Sequence, residues 1–482
     1  MMFMKEKLKK IFTLKNTSLF LNVLLFISLV LFFVNVFSIN IFPIKYTVEF
    51  LIIFVLINTI FVLVDLKFYK KKVLIIILDI ISILLMSLFI FGTLKIIETN
   101  SFFNRNSSEK IEITNYYVVV RKNSDYDKIY DIRKKDVYVL NNEINYGQII
   151  SKLNDKVSVN INNETDLLEM GNKLLNNSIS IILVSDANYS LLEENIEGFN
   201  NSTKKLYTIS LESKLKDISK DAKVTKESFN IYISGIDTYG KISTKSRSDV
   251  NIIMTVNPVD KKILLTSIPR DYYVQLHGTK GYKDKLTHAG VYGINMSVQT
   301  IEDLLNTDIN YYLRVNFNTL IDVVDELGGI EIYSDISFTP WTNKSCKIKK
   351  GYQTVNGKCA LAFARERKSY FTGDRHRGEN QQQVITKIID KATSSKKIIT
   401  NYSDILDALD GSFQTSLSRE EIYAIIKMQI SDMAKWEVES ISLNGFDSSN
   451  YTYSYGGQKL YVMEPDMNTV TKAQEKIYET ME

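Results

Sequence analysis

Three nearly uncharged apolar runs, Leu19–Ile39, Val48–Val64 and Val73–Leu94, stand at the start of the chain. Each approaches the roughly 20 residues a helix needs to cross about 30 Å of hydrocarbon. One such run could equally be a buried core helix. Three in tandem, ahead of any soluble pattern, predict three transmembrane helices and a membrane anchor over residues 1–97. Lys5, Lys7, Lys9, Lys10 and Lys15 precede the first run and Lys67, Lys70, Lys71 and Lys72 separate the second from the third, whereas the loop near Pro43 carries only Lys45. Lysines favour the cytoplasmic side, so the N-terminus is expected inside the cell and everything after the third run outside. The first run is long, lacks a small-residue cleavage site and is followed by further spans, which argues against a cleaved signal peptide.

The 482 residues leave room for two or three domains. The net charge of +4 owes much to lysines that face a membrane, so no nucleic-acid surface is indicated. Cys346 and Cys359 are the only cysteines. On the outer side of a membrane they are a candidate disulfide closing a loop just before Ala360–Arg365; two buried thiols are the alternative.

Thr99–Lys110 reads as a linker leaving the membrane. Apolar runs at Tyr116–Val120, Val137–Leu140, Val157–Ile161 and Ser180–Val184 predict strands, and Glu164–Leu175 and Asn188–Ile196 carry helical spacing. That alternation predicts a small α/β accessory domain over residues 98–215. Its charged residues are scattered, with no His, no Cys and no Gly-rich phosphate loop, and it shows no chemical constellation.

A second α/β pattern fills residues 216–482. Phe229–Ser234, Val250–Val256 and Ile263–Ile268 are short runs rich in Ile, Val, Leu and Tyr, as core strands require. The first runs into Gly235-Ile236-Asp237, the second is entered through Arg247-Ser248-Asp249, and the third exits through Pro269-Arg270-Asp271. If the first two are antiparallel neighbours, Asp237 and Asp249 fall at the same sheet end; taken singly, such residues are ordinary surface turn charges. Helical spacing over Val291–Leu305, a strand at Tyr311–Val315, a helix at Phe317–Leu327 stopped by Gly328-Gly329 and a return to the sheet at Ile330–Tyr333 follow. Gly351–Lys358 only superficially suggests a nucleotide loop, because its glycines are too far apart and Cys359 stands where Ser or Thr is needed. Arg365, Arg367, Arg375 and Arg377 then crowd together ahead of Asn380–Gln383. With Arg377 and Gln381 one helical turn apart, these heads can converge on a single anion; paired to Glu366, Asp374 and Glu379 they would be a solvated helix face. Tyr402–Leu409 and Arg419–Met428 predict further helices of this domain, and Leu460–Glu464 an edge strand.

The blocks IDT at Asp237, RSD at Arg247–Asp249, SIPRD at Ser267–Asp271, DKLTHAGVYG at Asp284–Gly293, DELGGIEI at Asp325–Ile332, ALAFAR ending at Arg365 and GDRHRGENQQQ at Gly373–Gln383 occur in this order. Together they resemble the LytR-CpsA-Psr family of bacterial cell-envelope proteins, and the three-span anchor with its accessory domain looks like the CpsA branch. The resemblance implies an α-β-α catalytic domain with a central mixed sheet and an apolar tunnel that holds a polyprenyl chain. It also implies a phosphotransferase that moves a glycopolymer, capsular or teichoic-acid-like, from a polyprenyl pyrophosphate to a sugar hydroxyl of peptidoglycan. Further partners implied are the membrane and the machinery that exports capsule or wall polymer.

Carried over motif by motif, Asp237 and Asp249 match the family's metal-binding acids, for Mg²⁺ or Mn²⁺. Arg247, Arg270, Arg365, Arg367, Arg377 and Gln381 match its pyrophosphate contacts, Lys285 is added to them, and Asp249, Arg270 and Arg367 take the catalytic roles. Many family members have Arg where this chain has Asn380, so one phosphate contact is either lost or supplied by Arg375. The residues agree with this chemistry: gathered guanidinium groups need an anion, planar forks suit pyrophosphate, and paired carboxylates suit Mg²⁺ better than zinc. His277, His288 and His376 lack metal-ligand spacing, and no nucleophile elbow or Cys–His pair presents itself, which leaves direct phosphoryl transfer. The alternatives are a non-enzymatic membrane regulator that senses lipid-linked glycan and a pyrophosphatase acting on the same lipid.

Overall fold

The computed structural model describes residues 14–108, 111–236, 242–371, 373–394, 412–455 and 457–482. The chain divides into two compact units, Met1–Arg105 with Ser418–Ala434, and Asn106–Leu417 with Lys435–Glu482.

The first unit contains three helices long and apolar enough to span a membrane, Leu14–Ile39, Ile44–Phe68 and one that starts at Lys72. The third helix runs on to Ser108, through most of the expected linker, since nothing in that stretch breaks a helix. Leu25, Leu29, Phe33 and Phe89 pack together while Phe20, Leu31, Leu84 and Phe91 stay exposed, the distribution a hydrocarbon surrounding requires. Near the other end of the bundle Ser18 bonds to Asp65 and, at 2.6 Å, to Asp79, and the Asn22 amide donates to Asp65 at 2.6 Å. The Arg419–Asp432 helix, expected in the catalytic domain, belongs to this unit: Arg419 donates to Asn100 and Lys427 to Asn40, both at 2.8 Å.

The second unit holds two main sheets among the described residues. The first comprises β1 (Ile111–Arg121), β2 (Asp136–Leu140), β3 (Asn160–Glu164), β4 (Ile181–Ser185) and β5 (Thr203–Lys214), in the order β3-β2-β4-β1-β5. The segment expected as a strand from Val157 begins only at Asn160, because the Tyr146–Lys156 helix ends just before it. Sequence reading missed that helix and β5. The expected helices appear as Leu167–Leu175 and Asp186–Asn195.

The second sheet is mixed. It is built from β6 (Phe229–Ile236), β7 (Ser248–Asn257) and β8 (Lys262–Ser267). Beyond the short pair β9 (Tyr273–Val274) and β10 (Asp284–Lys285) the chain supplies β11 (Tyr311–Val315), β12 (Ile330–Ser334), β13 (Gly351–Val355), β14 (Phe413–Thr415) and β15 (Glu437–Ser442). The order β14-β11-β6-β7-β8-β15 joins antiparallel β6, β7 and β8 to parallel neighbours on each side. The expected return of Ile330–Tyr333 to the sheet does not occur, since β12 pairs with β13 in a separate ribbon. Nor is Leu460–Glu464 an edge strand of this sheet: β16 (Gly445–Asn450) and β17 (Leu460–Pro465) form a ribbon of their own. The edge belongs to β15, whose sequence EVESIS carries too many polar residues to stand out.

Register sorts the side chains. Ile233 pairs with Leu313, Gly235 with Val315 and Val250, and Ile231 with Met254, so these residues share one face. Tyr232, Ile253, Leu264 and Tyr312 lie on the other, packed with Ile294, Val298 and Ile301 of one helix and Val470, Ala473 and Ile477 of another. Helices Phe317–Glu326, Gly357–Ala364 and Asp374–Ser394 cover the first face, completing the α-β-α layering. Gly235 matters through closeness: a Cβ there would meet Val250 at 2.7 Å, beside the register shift that ends the β6–β7 pairing. Cys346 and Cys359 form the expected disulfide.

A buried charge pair ties the two sheets together. Glu112 of β1 accepts the backbone N–H of Ile294 at 2.9 Å and lies 3.6 Å from Arg314 of β11, both side chains being almost fully buried. Removing one partner of such a pair strands the other charge, at a cost of about 3–5 kcal/mol. Glu112→Ala is therefore expected to lower the midpoint of thermal unfolding markedly, measured by circular dichroism, whereas substitution of the exposed Glu227 leaves it within a degree or two.

Candidate functional site

The charges expected at the ends of β7 and β8 meet. Asp249 is the second residue of β7, and its Oδ1 accepts from Arg270 Nη1 at 3.0 Å and from Thr287 Oγ1 at 3.2 Å. Arg270, just past Pro269, also lies 3.4 Å from Asp271, which in turn sits 3.2 Å from the buried Lys285 ammonium. Asp271 thus stands between Arg270 and Lys285. Burial pushes the Asp249 carboxyl up, but Arg270, Arg247 and Arg377 outweigh it and hold the group at about 2.

Arg247, Asp249, Arg270, Arg365, Arg367, Arg377 and Gln381 all line the mouth of one cavity of about 850 Å³. Arg365 follows the Gly357–Ala364 helix and its guanidinium stacks 4.0 Å from the centre of the Phe317 ring; Arg377 and Gln381 come from the Asp374–Ser394 helix. Lys285 approaches the same cluster through Asp271. Past the charged mouth the walls are hydrocarbon: Ile233, Met254 and Leu313 from the sheet, Leu320 and Val323 from one helix, and Val384, Ile385, Ile388 and Ile389 from another. Charged and hydrocarbon walls thus share one cavity, a lining whose chemistry matches an amphiphile with a strongly anionic head.

Asp237 lies outside the described residues. Its neighbour Ile236, the last residue of β6, pairs with Ser248 of β7. The bonds from Arg270 and Thr287 both fall on Oδ1 of Asp249, and a donor set of carboxylate oxygens suits a hard divalent cation. Among the described residues no three His, Cys, Asp or Glu side chains cluster as a ready-made metal site. The histidines are dispersed: His277 meets Asp303, His288 is buried against Asp284 and Ser454, and His376 stacks on Tyr370.

Asn380, the departure from the family pattern, is structural: its buried amide donates to the carbonyl of Phe363 at 3.1 Å. Arg375 is not a wall of the large cavity; it donates to the Gly445 carbonyl at 2.8 Å and borders a smaller adjoining pocket. Two site residues escaped sequence reading. Glu366, between Arg365 and Arg367, accepts the backbone N–H groups of Trp341, Lys368 and Ser369 at 2.7, 2.8 and 3.0 Å, fixing the loop that carries both arginines. Glu194 comes from the segment that showed no chemistry. It accepts from Arg247 at 2.6 Å and lies 3.6 Å from Lys285 and 3.8 Å from Arg270. Nothing in a run such as LLEENIEG marks one Glu from the next.

The LytR_cpsA_psr family profile matches residues 192–476, more than half of the chain, and the chain belongs to this family. It is 37% identical over 207 residues to the polyisoprenyl-teichoic acid–peptidoglycan teichoic acid transferase TagU of Bacillus anthracis (strain CDC 684 / NRRL 3495), covering 42% of this chain and 66% of that one, just under two thirds. It is 34% identical over 254 residues to TagT of Bacillus subtilis (strain 168), whose name describes the same transferase activity, covering 50% of this chain and 76% of that one. Among solved structures it is similar to TagT with bound octaprenyl pyrophosphate lipid, with 27% identity, a TM-score of 0.42, and coverage of 54% of this chain and 93% of that one.

Burial pushes the Glu366 carboxyl up, but the N–H groups of Trp341, Ser369 and Lys368 outweigh it and hold the group below the usual carboxylate range. A depressed carboxylate stabilises the fold fully above its unfolded value near 4.3 and loses that contribution as pH falls through the folded value. Glu366→Gln is expected to cost about 1–3 kcal/mol at pH 7. The gap to wild type in thermal unfolding should shrink as pH falls below about 4.

Proposed function

We propose that the chain transfers a glycopolymer from a polyprenyl pyrophosphate carrier to a sugar hydroxyl of peptidoglycan. The observation that carries this reading is the continuity of the arginine-lined mouth with the hydrocarbon-walled cavity. A diphosphate with a long isoprenoid tail needs both at once: burial gains roughly 0.8 kcal/mol per CH₂ for the tail, and guanidinium forks pair with the head. The names of the relatives favour a teichoic-acid-like polymer over a capsular one as donor.

In this reaction the acceptor oxygen forms a bond to the phosphorus that bears the glycan. The bond from that phosphorus to the bridging oxygen breaks, and its electron pair leaves with polyprenyl phosphate. The hydroxyl proton passes to a base; Asp249 is a poor one, held near 2 by its arginine neighbours. Arg270, Arg367 and Arg377 meet the charge that grows on the leaving phosphate, while Arg247, Lys285, Arg365 and Gln381 fix the diphosphate in place. Asp237 and Asp249 would hold a Mg²⁺ or Mn²⁺, whose charge would help neutralise the phosphate oxygens. Thr287 and Asp271 keep Asp249 and Arg270 in register.

The same reading places the catalytic domain outside the cell. The lysine-rich segments lie before the first helix and between the second and third, whereas the Arg419–Asp432 helix touches Asn40 and Asn100, at the opposite ends of the bundle.

The test is full-length protein in lipid nanodiscs with Mg²⁺, a polyprenyl-pyrophosphate glycan and peptidoglycan oligomers. Polymer joined to peptidoglycan is the expected product. Free phosphorylated polymer would make the protein a hydrolase, and an unaltered lipid would make it a sensor. Arg270→Ala and Asp249→Ala are expected to lower transfer by about 100-fold or more in protein whose circular dichroism at the assay temperature shows it still folded. Chelation of divalent ions is expected to stop it.

A further inference from the structure

Arg247, Arg270 and Lys285 already face an anion, and the chain itself supplies it. Glu194 stands in the last turn of the Asp186–Asn195 helix, which belongs with the first sheet and not with the catalytic one. Its placement is set from behind. Tyr189, Leu191 and Leu192 are buried in the core beside β4. Ser185 caps the helix by accepting the Asn188 N–H, and the buried carboxylate of Glu143 accepts from the Asn188 amide at 2.8 Å. Ser190, Glu193 and Glu194 of this helix line the same cavity as the arginines. A carboxylate at a helix C-terminus faces the negative end of the dipole, and this last turn contains no basic residue. The cations across the cavity mouth are what hold Glu194 there.

Resting on the diphosphate reading above, we infer that Glu194 competes with the phosphates for Arg247, Arg270 and Lys285, and so sets how tightly the site holds a lipid phosphate. Two like charges cannot share these partners cheaply in a half-buried mouth. An incoming head group must displace the carboxylate. That displacement costs the same for a diphosphate and for a monophosphate, so Glu194 loosens the hold on both and speeds release of the polyprenyl phosphate product.

The experiment is titration of the full-length chain in nanodiscs with geranylgeranyl diphosphate and, separately, geranylgeranyl monophosphate. Glu194→Gln is expected to bind both more tightly than wild type, by at least about threefold. Glu194→Asp, whose charge stops one methylene short of Arg247, is expected to shift both in the same direction by less, and serves if the Gln variant does not fold. Equal or weaker binding by the variants, with diphosphate still binding wild type, overturns the competition and leaves the site assignment standing. Failure of wild type and both variants to bind the diphosphate overturns the site assignment itself.

Discussion

Crowding of like charge is the constraint on which this structure depends. Five arginines line one cavity and Lys285 stands close by, and Asp249, Asp271 and Glu194 pair with three of these cations, Arg247, Arg270 and Lys285. Guanidinium groups brought this close out of bulk water repel one another unless anions intervene, and the resident carboxylates answer only part of that demand. The sheet imposes the arrangement. Asp249 stands at the start of β7 and Arg270 follows β8, so strand pairing delivers these two to one edge, and the helices bring Arg365 and Arg377 to the same cavity.

The two faces of the second sheet have different uses. One is packed solid by Tyr232, Ile253 and Tyr312 against two helices; the other, lined by Ile233, Met254 and Leu313, leaves a cavity beneath three more. A well-packed interior would normally close such a void. Here the void persists, and its lining joins the charged residues to the hydrocarbon ones. The loop from Arg365 to Arg367 is held by Glu366 and the helix bearing Arg377 by Asn380, so both halves of the cluster rest on buried hydrogen bonds rather than on surface ion pairs.

Much of this is legible in the sequence, and the parts that are not share a physical reason. Core strands announce themselves as short apolar runs with charges at their ends, which is why β6, β7 and β8 and the residues Asp249 and Arg270 could be read directly. Which face of a doubly buried strand lines a cavity cannot be read, because Ile233 and Tyr232 are both apolar. Strand pattern also carries no pairing partner, so β12 and β17 were assigned to the wrong sheet. The polar edge strand β15 was invisible for the opposite reason. Glu194 reaches the site through tertiary packing of a helix whose own sequence gives no hint of chemistry, and the Arg419–Asp432 helix has apolar spacing that says nothing about which unit it joins.

The most direct measurement is native mass spectrometry of the full-length protein extracted gently from membranes supplied with polyprenyl pyrophosphate. A bound polyprenyl pyrophosphate is predicted on the wild-type chain and its loss in Arg377→Ala, whose buried side chain lines both the large cavity and the smaller pocket. Retention of the lipid in that variant, or no bound lipid on the wild-type chain, would contradict the account.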